Sequence, residues 1–163
     1  MKKGLLLDRD GIVNREIGRH VYLEDDLHIL PDIGDFLQKA MELGFTIVIV
    51  SNQSGIGKGL YDHDTVEHLH HRIREELQKK GVEIADFFYA PHHPNTGNSL
   101  IRKPEPLMIE RALAKHGLDP SRSLFFGDKG SDKEAGERAG IRSILVESNS
   151  SLLPYIDELK RIH

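Results

Sequence analysis

Leu5-Leu6-Leu7-Asp8-Arg9-Asp10-Gly11 sets three leucines directly against two carboxylates and a glycine. An apolar run with no alternation is what a strand buried on both faces of a parallel sheet shows. Two carboxylates this close ionise together cheaply only beside a cation, so Asp8 and Asp10 point to a divalent metal. Gly11 would let the backbone turn sharply beside a ligand. A plain polar turn reads the same way taken alone, so the decision rests on what lies at the ends of the other runs.

Outward from this stretch, short apolar runs recur at 46–50, 87–89, 124–126 and 143–146, each bounded by polar residues or glycine. Helical patterns lie between them, near 33–43, 63–80, 105–116, 131–139 and 151–162. Gly44, Gly81, Gly117 and Gly140 stand where helix C-caps belong. Strand and helix alternate five times, which predicts an α/β fold: a doubly wound, mainly parallel sheet, with residues 1–163 forming a single domain. Helix 63–80 carries Val66, Leu69, Ile73 and Leu77, the ordinary stripe for packing on a sheet, with no sign of a dimer seam.

In an open α/β sheet the carboxyl ends of the strands form the ligand crevice. The polar segments 8–11, 51–55, 90–103 and 127–129 all follow apolar runs and so converge there. Asp128 and Asp132 bring a second acid pair to that edge, and hard oxygen donors favour Mg²⁺ over zinc. Ser51-Asn52-Gln53-Ser54-Gly55-Ile56-Gly57-Lys58-Gly59 offers N–H and side-chain donors to a phosphate. It is not a P-loop, because Lys58 is followed by Gly59 rather than Ser or Thr. Arg102 and Lys103 add a fork and a point charge that one phosphate could take together. His68, His70 and His71 are expected to be exposed. His92 and His93 are expected to touch substrate or backbone from a loop.

Composition narrows the function. The 163 residues hold 22 Lys plus Arg against 26 Asp plus Glu, a formal charge of −4, which disfavours electrostatic binding of nucleic acid. There is no cysteine, hence no disulfide, thiol nucleophile or Cys-based metal site. Three leucines followed by an Asp make no signal-peptide core, and no stretch approaches a membrane span. A cytoplasmic location is the default expectation.

These segments together resemble the haloacid dehalogenase superfamily of phosphohydrolases. Its motifs appear in order as LLLDRDG, IVIVSNQ, RKP and FFGDKGSD. DRDGIVN, SNQSGIGKG, YAPHHP, RKPEP and GDKGSDKEAG are closer still to the D-glycero-D-manno-heptose 1,7-bisphosphate phosphatase family, with histidinol-phosphate phosphatases as near relatives. The resemblance implies a Mg²⁺-dependent phosphatase acting on a small phosphorylated metabolite. It makes Asp8 the nucleophile and Asp10 the general acid and base, with Ser51 and Lys103 holding the phosphoryl group. Asp8, Asp10 through its backbone carbonyl, and Asp128 would bind the metal, with Asp132 acting nearby. Arg9, Asn52, Gln53, Ser54, Arg102 and Lys129 would bind substrate.

Two departures bear on specificity. The resemblance implies a zinc loop whose cysteines are replaced here by Ala90, Ser99 and Ile101, with His92 kept, so zinc is expected to be absent. Forty residues, 11–50, separate Asp10 from Ser51. That leaves room for a flap over about 14–31, with His20 and Tyr22 as substrate contacts, and none for a cap domain. Specificity is then expected from the loops 14–31, 52–60 and 90–102. Alternatives are a histidinol-phosphate phosphatase, a polynucleotide 3′-phosphatase with an open site, and an inactive phosphate-binding domain.

Overall fold

A computed structural model describes residues 1–163, the side chain of Thr96 in the 90–101 loop excepted. Five strands, β1 (Lys2–Leu7), β2 (Phe45–Asn52), β3 (Asp86–Ala90), β4 (Leu118–Gly127) and β5 (Arg142–Leu145), form one sheet in the order β3-β2-β1-β4-β5. Every pairing is parallel. The helices are α1 (Ile33–Glu42), α2 (His63–Gln78), α3 (Leu107–His116), α4 (Gly130–Arg138) and α5 (Ile156–Lys160).

The unbroken leucine run is explained by two cores. Leu5 and Leu7, with Ile47, Ile49, Leu124 and Phe126, pack on α1, α2 and α5 through Phe36, Leu37, Ile73, Leu77 and Leu159. Leu6, with Val48, Val50 and Phe125, turns to the other face and meets Met108, Ile109 and Ala112 of α3 and Ala135 of α4. Successive side chains of a strand point to opposite faces, and here both faces are covered.

β1 lies at the centre, with β2 on one side and β4 on the other, so connections run outward in both directions from it. This is the topological switch point where an α/β sheet opens a crevice. Register sets the level of the site: Leu7 stands opposite Ile49 of β2 and Phe126 of β4, and the Asp8 N–H donates to the Phe126 carbonyl at 3.0 Å.

Some boundaries differ from the sequence reading. β4 begins at Leu118 because Leu118 pairs with Lys2; the chain then bulges before Ser123 meets Gly4. The Ser123 hydroxyl, which accepts from the Gly4 N–H at 3.0 Å, helps seat the join. The last helix is shorter than expected, since Pro154 opens a 3-10 turn before α5 starts at Ile156.

His70 corrects an expectation. His68 and His71 are exposed, but His70 is buried, its ring stacked 4.4 Å from Phe87 and its Nε2 3.5 Å from Arg9 Nη1. It lies four residues after Val66 and three before Ile73, on the apolar stripe itself. Burial, then the Arg9 charge, push its pKa down to about 3. The folded protein therefore keeps His70 neutral while the unfolded chain takes a proton below about 6.5. Its contribution is full above that value and is lost as pH falls toward 3, by up to about 1.4 kcal/mol per pH unit. Urea unfolding at pH 7, 6, 5 and 4 should show a shallower loss for His70→Gln than for the parent; parallel curves would contradict the assignment.

Candidate active site

The carboxyl ends of β1, β2 and β4 surround a cavity of about 420 Å³. Asp8, Asp10, Asn52, Gln53, Ser54, Arg102, Lys103 and Lys129 line it, together with Asp132. The sheet thus brings together residues from four separate sequence segments. Ser51 and Arg9 are buried outside this lining.

At the floor, Lys103 is 2% exposed and its Nζ reaches Asp8 Oδ1 at 2.9 Å, Asp132 Oδ1 at 2.6 Å and the Val50 carbonyl at 2.9 Å. Burial alone would strip its proton, but the Asp8 and Asp132 charges outweigh it and keep the ammonium charged. Asp8 feels the converse. Burial pushes its carboxyl well above the usual range; Lys103 pulls it down, while Asp132 and Asp10 push it up again. One ammonium does not neutralise this cluster, and a further positive charge would favour the ionised form.

The donor set fits a hard divalent cation. Asp8, Asp128 and Asp132 each offer an oxygen within 4.8 Å of the others. Asp128 Oδ1 is buried with no hydrogen-bond partner among the described residues, a costly state that an ion would relieve. Asp132 has both oxygens engaged: Oδ1 with Lys103, and Oδ2 accepting from the N–H groups of Asp128 and Lys129 at the start of α4. That suits a role behind the metal rather than directly on it. Gly11, at φ +87°, presses against Asp128: a Cβ there would lie 2.3 Å from Oδ2 and 2.5 Å from Ser148 Oγ.

Asp10 is tightly held. Its Oδ1 accepts from Arg9 Nη2 at 3.1 Å, Arg9 Nε at 3.4 Å and Asn14 Nδ2 at 2.9 Å; its Oδ2 accepts from Gln53 Nε2 at 3.2 Å. Burial raises this carboxyl, but Arg9 and the donors from Asn14, Arg9 and Gln53 outweigh it and hold it below the usual carboxylate range. Arg9 serves here and not in the cavity. Its side chain is 0% exposed and also donates to the Val21 carbonyl at 3.0 Å, so the structure places it behind Asp10 rather than in the cavity lining, where a substrate contact was expected.

The rim is cationic. Arg19, Lys58, Arg102 and Lys129 line the mouth beside His20 and Glu16. His20 Nε2 lies 3.2 Å from Lys58 Nζ. Tyr22, expected to face substrate, is outside the lining and stacks on Tyr61 at 5.1 Å. Among the described residues, the 90–101 loop reaches the cavity only through its neighbour Arg102, whose Nη1 donates to the His92 carbonyl. Ser99 Oγ lies 3.1 Å from His92 Nδ1 and accepts from the N–H groups of Ile101 and Arg102. Arg19, Lys58 and Ser131 of this lining, and Tyr61 outside it, were not singled out for the site from sequence. Only Lys58 and its glycine-rich loop carried any signal.

A parallel sheet with this acid-and-lysine centre at its switch point is that of a haloacid-dehalogenase-like phosphatase, and the HAD-hyrolase-like family matches residues 100–158. D-glycero-alpha-D-manno-heptose-1,7-bisphosphate 7-phosphatase of Photorhabdus laumondii is 39% identical over 153 residues, covering 90% of this chain and 83% of that protein. The D-glycero-beta-D-manno-heptose-1,7-bisphosphate 7-phosphatase of Pseudomonas aeruginosa is 32% identical over 148 residues, covering 91% and 83%. The crystal structure of D,D-heptose 1,7-bisphosphate phosphatase from B. bronchiseptica, complexed with magnesium and phosphate, matches with a TM-score of 0.84 at 30% identity, covering 90% of this chain and 81% of that one. The chain belongs to the D-glycero-D-manno-heptose-1,7-bisphosphate 7-phosphatase family and is a phosphatase. None of these relatives is named for histidinol phosphate, so that alternative gains no support. Among the described residues, no helix is long and apolar enough to cross a membrane.

Proposed function

We propose that the chain hydrolyses the 7-phosphate of a D-glycero-D-manno-heptose 1,7-bisphosphate through an aspartyl phosphate on Asp8. The observation that carries the chemistry is the buried Asp8–Lys103–Asp132 cluster at the cavity floor, with Asp10 two residues along the chain from Asp8, across Arg9. A carboxylate oxygen of Asp8 bonds to phosphorus as the bond to the sugar oxygen breaks. Lys103 and Ser51 hold the phosphoryl oxygens. Asp10, ionised in the free protein, takes up a proton as the anionic phosphoryl group arrives beside it, because a like charge raises a carboxyl. It gives that proton to the leaving sugar oxygen. In the second half Asp10 takes a proton from water, whose oxygen bonds to phosphorus as the Asp8–phosphorus bond breaks. Phosphate leaves, Asp10 releases its proton to solvent, and Asp8 and Asp10 are carboxylates again.

Mg²⁺ would be held by Asp8, the Asp10 carbonyl and Asp128, with Asp132 behind them; when bound, it neutralises charge on the phosphoryl oxygens. The cationic rim of Arg19, Lys58, Arg102 and Lys129 suits a substrate with a second anionic group, which a bisphosphate has. Phosphate release should be measured with Mg²⁺ and with EDTA on both heptose 1,7-bisphosphate anomers, histidinol phosphate and a 3′-phosphorylated oligonucleotide. Mg²⁺-dependent turnover favouring a heptose anomer is expected; preference for either other substrate would overturn the substrate reading.

Gly11→Ala tests the metal site without replacing a ligand. Its Cβ would meet Asp128 Oδ2 and its φ would be strained. The Mg²⁺ concentration for half-maximal activity should rise about tenfold, as for other changes that displace a metal ligand from behind. An unchanged Mg²⁺ titration would place the cation elsewhere.

A further inference from the structure

Gln53 sits between the two halves of the Asp10 environment. Its side chain is buried, 2% exposed, and its Nε2 donates to Asp10 Oδ2 at 3.2 Å and to Ser51 Oγ at 2.7 Å. A carboxylate only accepts, so the amide nitrogen must face Asp10, and the amide oxygen must find a donor on the opposite side. Tyr61 supplies it, its hydroxyl donating to Gln53 Oε1 at 2.9 Å. The Tyr61 ring is itself fixed. It stacks on Tyr22 of the 14–31 segment, and it lies so close over Gly55 that a Cβ there would be 2.0 Å from the ring. Asp62, the next residue, caps α2 by accepting from the Thr65 N–H.

The two oxygens of Asp10 are unequal. Oδ1 is filled by Arg9 and Asn14, whereas Oδ2 has only Gln53 among the described residues. Oδ2 therefore keeps a lone pair for proton exchange, and Gln53 sets its direction. We propose that Tyr61 is a positioning residue for proton transfer: through Gln53 it aims Asp10 Oδ2 at the leaving oxygen. This rests on the reading of Asp10 as general acid. Without the hydroxyl, the buried amide oxygen loses its donor and the amide is free to turn.

The test compares two esters. A sugar alkoxide needs a proton to leave and 4-nitrophenolate does not, and kcat/KM covers the steps up to that departure. The readout is the ratio of kcat/KM for heptose 1,7-bisphosphate to that for 4-nitrophenyl phosphate. Tyr61→Phe, which keeps the ring and its stack, should lower this ratio about tenfold, within the range of general acid catalysis. In a Gln53→Ala background the same change should do nothing further, as expected when one residue acts through another. An equal fall for both esters, or an undiminished effect without Gln53, overturns the role of Tyr61. Asp10→Asn separates the two levels: if it leaves the ratio unchanged, Asp10 is not the acid and both readings fall. If Asp10→Asn lowers the ratio and Tyr61→Phe does not, only the positioning role falls.

Discussion

Asp8→Asn is expected to reduce phosphate release at least about 10³-fold while leaving phosphate binding in place. The amide nearly matches the carboxylate in shape, and its oxygen can still accept from Lys103 where Asp8 Oδ1 does now, at 2.9 Å. What it lacks is nucleophilicity, and no neighbour replaces that. Asp10 has Arg9 and Asn14 on one oxygen, and Asp132 has both oxygens engaged by Lys103 and the α4 N-terminus. The variant should fold, because removing one charge also removes repulsion from Asp132 and Asp10 that now pushes the Asp8 carboxyl up. Steady-state phosphate release and calorimetric titration with inorganic phosphate check the two halves. Turnover within about tenfold of the parent would move the nucleophile to another residue.

Lys103→Met is the second large effect, and it acts on stability as well as rate. The ammonium is the only cation within salt-bridge distance of either Asp8 or Asp132 among the described residues. Removing one partner of a buried pair leaves an uncompensated charge, a loss of about 3 kcal/mol at neutral pH. Its pH dependence follows from Asp8. That carboxyl already sits above its ordinary value, and losing Lys103 raises it further. A carboxyl whose folded pKa exceeds its unfolded one binds protons more tightly when folded, so the penalty shrinks as pH falls. Mg²⁺ should recover part of the loss, since ions that bind only the folded state stabilise it. Phosphate release should fall by about 10³-fold, the scale for losing a preorganised charge at the phosphoryl group. Urea unfolding at pH 7.5 and 5.5, with and without Mg²⁺, is the check. Parental stability at pH 7.5 without Mg²⁺ would contradict the charge balance described for the floor.

Much of this site was legible before the fold was known, for a reason that lies in topology. Strands buried on both faces announce themselves as unbroken apolar runs, and a parallel sheet sends all their carboxyl ends to one edge. Asp8, Asn52, Lys103 and Asp128 could be gathered there from sequence, and the structure does bring them to that edge. Side-chain direction was not legible. Arg9 lies between two cavity residues yet turns inward to Asp10 and Val21, because a buried carboxylate at that position needs a cation. His70 looked solvated because its neighbours His68 and His71 are polar, although its spacing from Val66 and Ile73 placed it on the buried stripe. Arg19 and Tyr61 were hidden for a different reason. Their positions depend on how irregular loops fold over the sheet edge, and no periodicity encodes that.

The aspartyl phosphate is the claim on which the mechanism turns. During turnover of heptose 1,7-bisphosphate with Mg²⁺, rapid quenching into borohydride should reduce the acyl phosphate. Mass spectrometry of the tryptic peptides should then find homoserine at position 8, in the parent and not in Asp8→Asn. Failure to trap any modified residue while the enzyme is turning over, or its appearance at a position other than 8, would contradict the account.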